Sequence, residues 1–140
     1  MHTEILVIDG QGGQLGSKIV KELLAKFSDI QITAVGTNAV ATASMMKAGA
    51  SKAATGENPV IVACRKADII IGPIGIVIAD ALMGEVTPAM AAAVGRSDAA
   101  RILIPMNKCE NMVAGVSNLS TAVLIQDAVS KVGRYISKNC

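Results

Sequence analysis

The sequence predicts a doubly wound α/β domain built on a mostly parallel, five-stranded sheet. Three observations carry that expectation. Short apolar, β-branched runs alternate with segments of helical period along the chain. Several of the helical segments open on a capping residue or a proline. No linker, internal repeat or low-complexity stretch interrupts the 140 residues, so residues 1–140 read as one domain, long enough to bury a core without metal or disulfide staples.

Glu4 to Asp9 is an apolar run of buried parallel-strand type, and Gln14 to Phe27 places Leu15, Ile19, Leu23 and Phe27 four apart on one helix face. Gln31 to Gly36 is a second strand. The segment "TNAVATASMMKAGA" follows, a helix capped by Asn38 and ended by Gly49. A short third strand lies near Lys52 to Ala54, and Asn58 is expected to cap the next helix with Pro59 at its first position. Asp68 to Ile71 is a strand, Gly72 to Gly75 a turn, and Ile76 to Met83 the start of a further helix. Thr87 and Pro88 repeat the cap-plus-proline device for a helix ending near Gly95. Arg101 to Ile104 is the last clear strand, and Met112 to Val116 reads equally as a small extra strand or a loop. The closing helix, about Leu119 to Ser137, carries Ala122, Ile125, Val129, Val132 and Ile136 on one stripe. Strands alternating with helices imply a parallel sheet covered on both faces, hence a three-layer Rossmann-like domain.

Composition narrows the function classes. Apolar residues make up 51% and charged residues 17% of the chain, which predicts an apolar surface and a homo-oligomer. A net charge of +2 with one Tyr and one Phe gives neither the footprint nor the stacking platform that nucleic acid requires. The most hydrophobic run, "IIIGPIGIVIADALM", is broken by Gly72, Pro73 and Gly75 and holds Asp80, so no membrane span is expected. Cys64, Cys109 and Cys140 form no C-x-x-C pair, and no signal-like segment precedes them. Reduced thiols in a cytoplasm are expected. One histidine, His2, and three distant cysteines predict no metal site and no histidine-based catalytic triad.

A site is expected at the C-terminal edge of the sheet, where helix N-termini gather unpaired N–H groups and positive potential. The loops reaching that edge are "DGQGGQLG", "GTNAV", "TGENP", "GPIG" and "PMNKC". Gly10, Gly13 and Gly16 form a G-x-x-G-x-x-G turn, with Gly12 as an extra. The dinucleotide pattern G-x-G-x-x-G fails at Leu15, and a Walker A reading fails because Gly16, Ser17 and Lys18 hold hydroxyl and amine in the wrong order. Two readings stay open for this turn: a cradle whose backbone admits a phosphate, and a plain strand-to-helix turn. An NAD site ordinarily has an acid at the end of the second strand, yet that strand ends in Gly36, Thr37 and Asn38. Asp9 would repel phosphate unless a cation intervenes or its charge is spent on turn amides.

The candidate ligand-binding residues are Gly10, Gln11, Gly12, Gly13, Gly16, Thr37, Asn38, Asn58 and Asn107, with NAD(P) or another nucleotide as the possible cofactor. Asp9 and Glu57 are the candidate acid/base groups, and Lys108, beside Cys109, the candidate electrophile. Each has a structural alternative: Asn38 and Asn58 as helix caps, Thr37 and Glu57 as turn formers, Lys108 as a solvated surface lysine. Asp80 and Glu85 read as an acidic pair or as surface ion-pair partners. Met45, Met46 and Met90 are assigned to core or subunit interface.

The glycine turn resembles that of the extended short-chain dehydrogenases over this segment. Through "VIDGQGG", "GTNAVATASMMKAGA", "ATGENPVIV", "RKADIIIGPIGIVIADALMGEVTPAM" and "ILIPMNKC", the chain up to about Cys109 resembles a bacterial domain-of-unknown-function family, number thirty-eight forty-two, of anaerobic Firmicutes. That resemblance implies a small Rossmann-like protein and names no substrate. Three functions follow: a domain that binds a small phosphate-bearing or nucleotide ligand through the Gly10–Gly16 loop, a non-catalytic partner or sensor subunit, and an enzyme with a subunit-bridging site. On the first, Gly13→Val should block the ligand without unfolding the chain.

Overall fold

A computed structural model describes residues 2–106 and 111–139. Five parallel strands, β1 (Thr3–Asp9), β2 (Ile30–Gly36), β3 (Lys52–Thr55), β4 (Ile69–Pro73) and β5 (Ala100–Ile104), lie in the order β3-β2-β1-β4-β5. Chain order reverses between β1 and β4, the topological switch point at which open α/β sheets hold ligands in a crevice.

Helices α1 (Gln14–Lys26), α2 (Ala39–Lys47) and α5 (Thr121–Asn139) cover one face, and α3 (Glu57–Cys64) and α4 (Pro88–Arg96) the other. The alternation of the pleat sorts the strand residues between two cores. Ile5, Val7, Ile32, Ala34, Ile69 and Ile71 pack with Leu15, Ile19, Leu23, Ile125 and Val129, whereas Leu6, Ile8, Val35 and Ile70 pack with Val60, Met90 and Val94. Burial on both sides is why these strands read as unbroken apolar runs, and each buried large aliphatic side chain contributes about 1.5–3 kcal/mol. Met45 and Met90 are core residues, while Met46 is exposed.

Caps set most of the boundaries. The Asn38 side chain accepts the Ala41 N–H, and Thr87 accepts that of Met90, as expected from their positions. Asn58 is not a cap. Gly56 precedes α3 with φ 106°, leaving Glu57, Asn58 and Pro59 as its first three residues. Pro59 fits there because the opening N–H groups of a helix lack intrahelical acceptors.

The largest departure from expectation lies after β4. Gly72 and Pro73 finish the strand, Ile74–Val77 forms a 3-10 turn, and no helix runs from Ile76 to Met83. A glycine and the β-branched run Ile76, Val77 and Ile78 oppose a helix here. The chain instead reverses with Asp80 (φ 67°), Leu82 (56°), Met83 (57°) and Gly84 (86°) in left-handed conformations. Each non-glycine residue so placed costs about 1–2 kcal/mol, and burial of Leu82 and Val86 holds the reversal in place. Residues 112–116 form a turn rather than a strand. Among the described residues, no helix is long and apolar enough to cross a membrane.

Candidate functional site

The glycine loop turns sharply at the end of β1. The Gly13 N–H donates to the Gly10 carbonyl (2.9 Å), with Gln11 at φ 51° and Gly13 at φ 72° as the residue before α1. A Cβ on Gly13 would stand 2.6 Å from the Ala41 Cα and 2.7 Å from its carbonyl oxygen, so glycine lets α1 begin against the backbone of α2. Gly12 is different: it is exposed, and a Cβ there would meet only Gln14 Cγ, at 3.8 Å. Gly13→Val therefore tests packing as well as ligand access, and the substitution that isolates access is at Gly12.

Asp9 is buried at 3% exposure, and its two carboxylate oxygens accept the N–H groups of Gly10 (2.8 Å) and Gly16 (2.7 Å). Burial raises its pKa, those two amides pull it back, and the nearby Glu85 charge adds to the rise. Asp9 thus closes the turn from inside and spends its charge on loop amides.

Across the loop stands Glu85, carried by the strained reversal after β4. Its Oε1 accepts the Thr37 hydroxyl (2.6 Å), the Asn38 side-chain amide (2.8 Å) and the Gln11 N–H (2.9 Å). Partial burial disfavours the ion, but bonds from Thr37, Gln11 and Asn38 outweigh it and hold the carboxyl below its ordinary pKa. The Asn38 amide also donates to the Gln11 carbonyl (2.9 Å), and the Ser44 hydroxyl donates to that of Gly12 (3.0 Å). A Cβ at Gly10 would lie 2.5 Å from Thr37 Oγ1, 2.8 Å from Leu82 Cδ1 and 3.0 Å from Glu85 Oε1, so a side chain there must displace these neighbours.

The start of α1 borders a cleft of about 380 Å³ lined by residues 9–15 together with Lys18, Met106 and Thr121. Gln14 and Leu15 are the first two residues of α1, whose N–H groups lack intrahelical acceptors, and Lys18 lies one turn further on.

A family model described as a domain of unknown function (DUF3842) matches residues 4–137. The chain belongs to this family. No protein of curated function matches it in sequence. Among solved structures, it is similar to a dodecameric FMN-dependent UbiX-like decarboxylase from Escherichia coli O157:H7, with 18% identity, coverage of 94% of this chain and 76% of that one, and a TM-score of 0.45. It is also similar to a nucleoside-diphosphate-sugar epimerase from Pseudomonas aeruginosa, with 16% identity, coverage of 99% and 49% respectively, and a TM-score of 0.48.

In this DUF3842 member the expected residues divide into groups. Asp9, Gly10, Gln11, Thr37 and Asn38 meet around Glu85 and the glycine turn, and Gly12 and Gly13 line the cleft. Gly16 sits beneath them as a donor to Asp9. Glu57 accepts the Thr87 hydroxyl (2.7 Å), tying the start of α3 to that of α4, and Asn58 lines a separate groove beneath α3. Asn107, Lys108 and Cys109 lie outside the described residues. Cys64 is a buried free thiol whose pKa desolvation pushes up to about 11. Sequence reasoning missed the part Glu85 plays. Its partner Gln11 is 74 residues away along the chain, and the reversal that delivers Glu85 stands where a helix was expected.

Proposed function

We propose that the chain binds a small phosphate-bearing ligand, a nucleotide being the leading class, at the C-terminal edge of the sheet through the Gly10–Gly16 loop. The cleft at the start of α1 carries this reading. The exposed Gly12 lines the cleft with only Gln14 Cγ near the place of a Cβ, the first N–H groups of α1 border the cleft, and Lys18 supplies a cation. Asp9, the acid that would repel an anion, has both oxygens engaged by amides. The protein is proposed to be cytoplasmic and to self-associate through exposed apolar side chains such as Val40, Met46 and Met83, which sedimentation analysis would test.

The test of binding is a thermal-shift titration of the full chain with pyrophosphate, ATP, NAD, NADP and FMN. At a hundred times its dissociation constant a ligand stabilises the fold by about 2.7 kcal/mol. With an unfolding entropy of about 2.1 cal/mol/K per residue, a chain of 140 residues should then gain roughly 9 °C in Tm. No shift with any of them refutes the proposal.

A further inference from the structure

Dinucleotide-binding α/β folds hold the ribose hydroxyls with an acid at the end of the second strand. Here that strand ends in Gly36, and Thr37 and Asn38 follow it. A carboxylate nevertheless stands beside those two residues, delivered from the far side of the crevice by the segment after β4. Glu85 Oε1 is saturated by Thr37, Asn38 and the Gln11 N–H, whereas Oε2 has no hydrogen-bond partner among the described residues. One oxygen is fixed and the other is left to accept.

We propose that Glu85 supplies the hydroxyl-binding acid that β2 lacks, and that the ligand of the glycine loop is a nucleotide whose ribose presents its vicinal hydroxyls to Glu85 Oε2. The inference rests on the phosphate-site reading above and adds the ligand class. An ionised carboxylate is an acceptor only, so it selects hydroxyl donors and disfavours a phosphate on the same ribose. Three donors from two loops orient it in advance, which lowers the ordering cost of binding. The cation and the acid are also divided along the loop, with Lys18 lining the cleft by the start of α1 and Glu85 bonded to Gln11 at the turn. The left-handed residues Asp80, Leu82 and Met83 carry the backbone strain of this placement.

Calorimetric titrations of the full chain and of Glu85→Gln with ADP, 2′-deoxyADP, NAD, NADP, ribose 5-phosphate and pyrophosphate test it. Wild type should bind ADP about tenfold more tightly than 2′-deoxyADP, the size of one lost bond to a charged acceptor, and should prefer NAD over NADP in a parallel pair. In Glu85→Gln, which keeps an acceptor for the three internal donors, both preferences should shrink to within about threefold while pyrophosphate still binds. Equal binding of ADP and 2′-deoxyADP by wild type that does bind pyrophosphate overturns this inference and leaves the phosphate site standing. That comparison needs no variant to fold. Tighter ADP binding by Glu85→Gln than by wild type also overturns it, making Glu85 an internal anion that competes with the ligand. Ribose 5-phosphate binding more tightly than ADP overturns the nucleotide assignment, and no binding of either pyrophosphate or ADP overturns both proposals.

Discussion

Gly13→Ala and Gly12→Ala, one residue apart, should have opposite outcomes. At Gly13 a methyl group must enter a space where the Ala41 Cα and carbonyl oxygen lie 2.6 and 2.7 Å from it, and the backbone must keep φ 72°. The left-handed conformation costs about 1–2 kcal/mol for a residue with a Cβ. Intrusion on a backbone that cannot rotate away adds about 1–3 kcal/mol. Restricting the unfolded chain returns about 0.4–1 kcal/mol, so the net destabilisation is about 1–4.6 kcal/mol. With the entropy of a 140-residue chain, Tm should fall by roughly 3–16 °C. Gly12→Ala meets no atom closer than 3.8 Å and should stay within about 0.5 kcal/mol of wild type, yet lose affinity for pyrophosphate. Circular-dichroism melts and urea midpoints give the stabilities, and calorimetry the binding. A Gly13→Ala variant as stable as wild type would refute the packing argument. A Gly12→Ala variant that binds pyrophosphate undiminished would refute close backbone approach.

Thr87→Ala removes the cap on Met90 N–H and should cost about 1 kcal/mol, or about 3 °C, with Thr87→Ser restoring most of it in the same melts. Thr37→Val removes the 2.6 Å bond to Glu85; the Glu85 carboxyl should then titrate closer to 4.5, its ordinary value, in carbon-detected NMR. The two loop acids should act oppositely on stability. The folded-state pKa of Glu85 lies below 4.5, so its stabilisation is complete above that pH and is lost as pH falls through the folded value. The folded-state pKa of Asp9 lies above 3.8, so protonation favours the folded state as pH falls between the folded value and 3.8. Urea midpoints should accordingly show Glu85→Gln losing less stability than wild type below about pH 4.5, and an equal loss would contradict the assignment.

Element order was readable because its signals are local. A strand buried on both faces must be apolar throughout, and Asn38 and Thr87 cap helices through bonds three residues ahead. Asn58 misled because an Asn-Pro pair suits a cap and a helix's first turn alike, and only Gly56, with φ 106°, decides between them. The segment from Ile76 to Met83 misled because an apolar run after a glycine-proline turn reads as a helix start although its β-branched residues oppose one, and burial of Leu82 and Val86 holds its left-handed path. Of the candidate site, the glycine turn was legible, and the engagement of Asp9 with loop amides was one of two alternatives that its position left open. Glu85 was not, because its partners belong to the loops after β1 and β2, and only the sheet order brings them together.

The Gln11 N–H sits on an exposed turn, and its acceptor is a side chain rather than the backbone. Its protection from solvent exchange is therefore set by how often the segment from Ile78 to Val86 lifts away, not by the stability of the sheet beneath. One amide proton becomes a clock for the opening of the crevice. In deuterated water it should exchange well before the amides of β1, and Glu85→Ala should bring it to the rate of an unprotected loop.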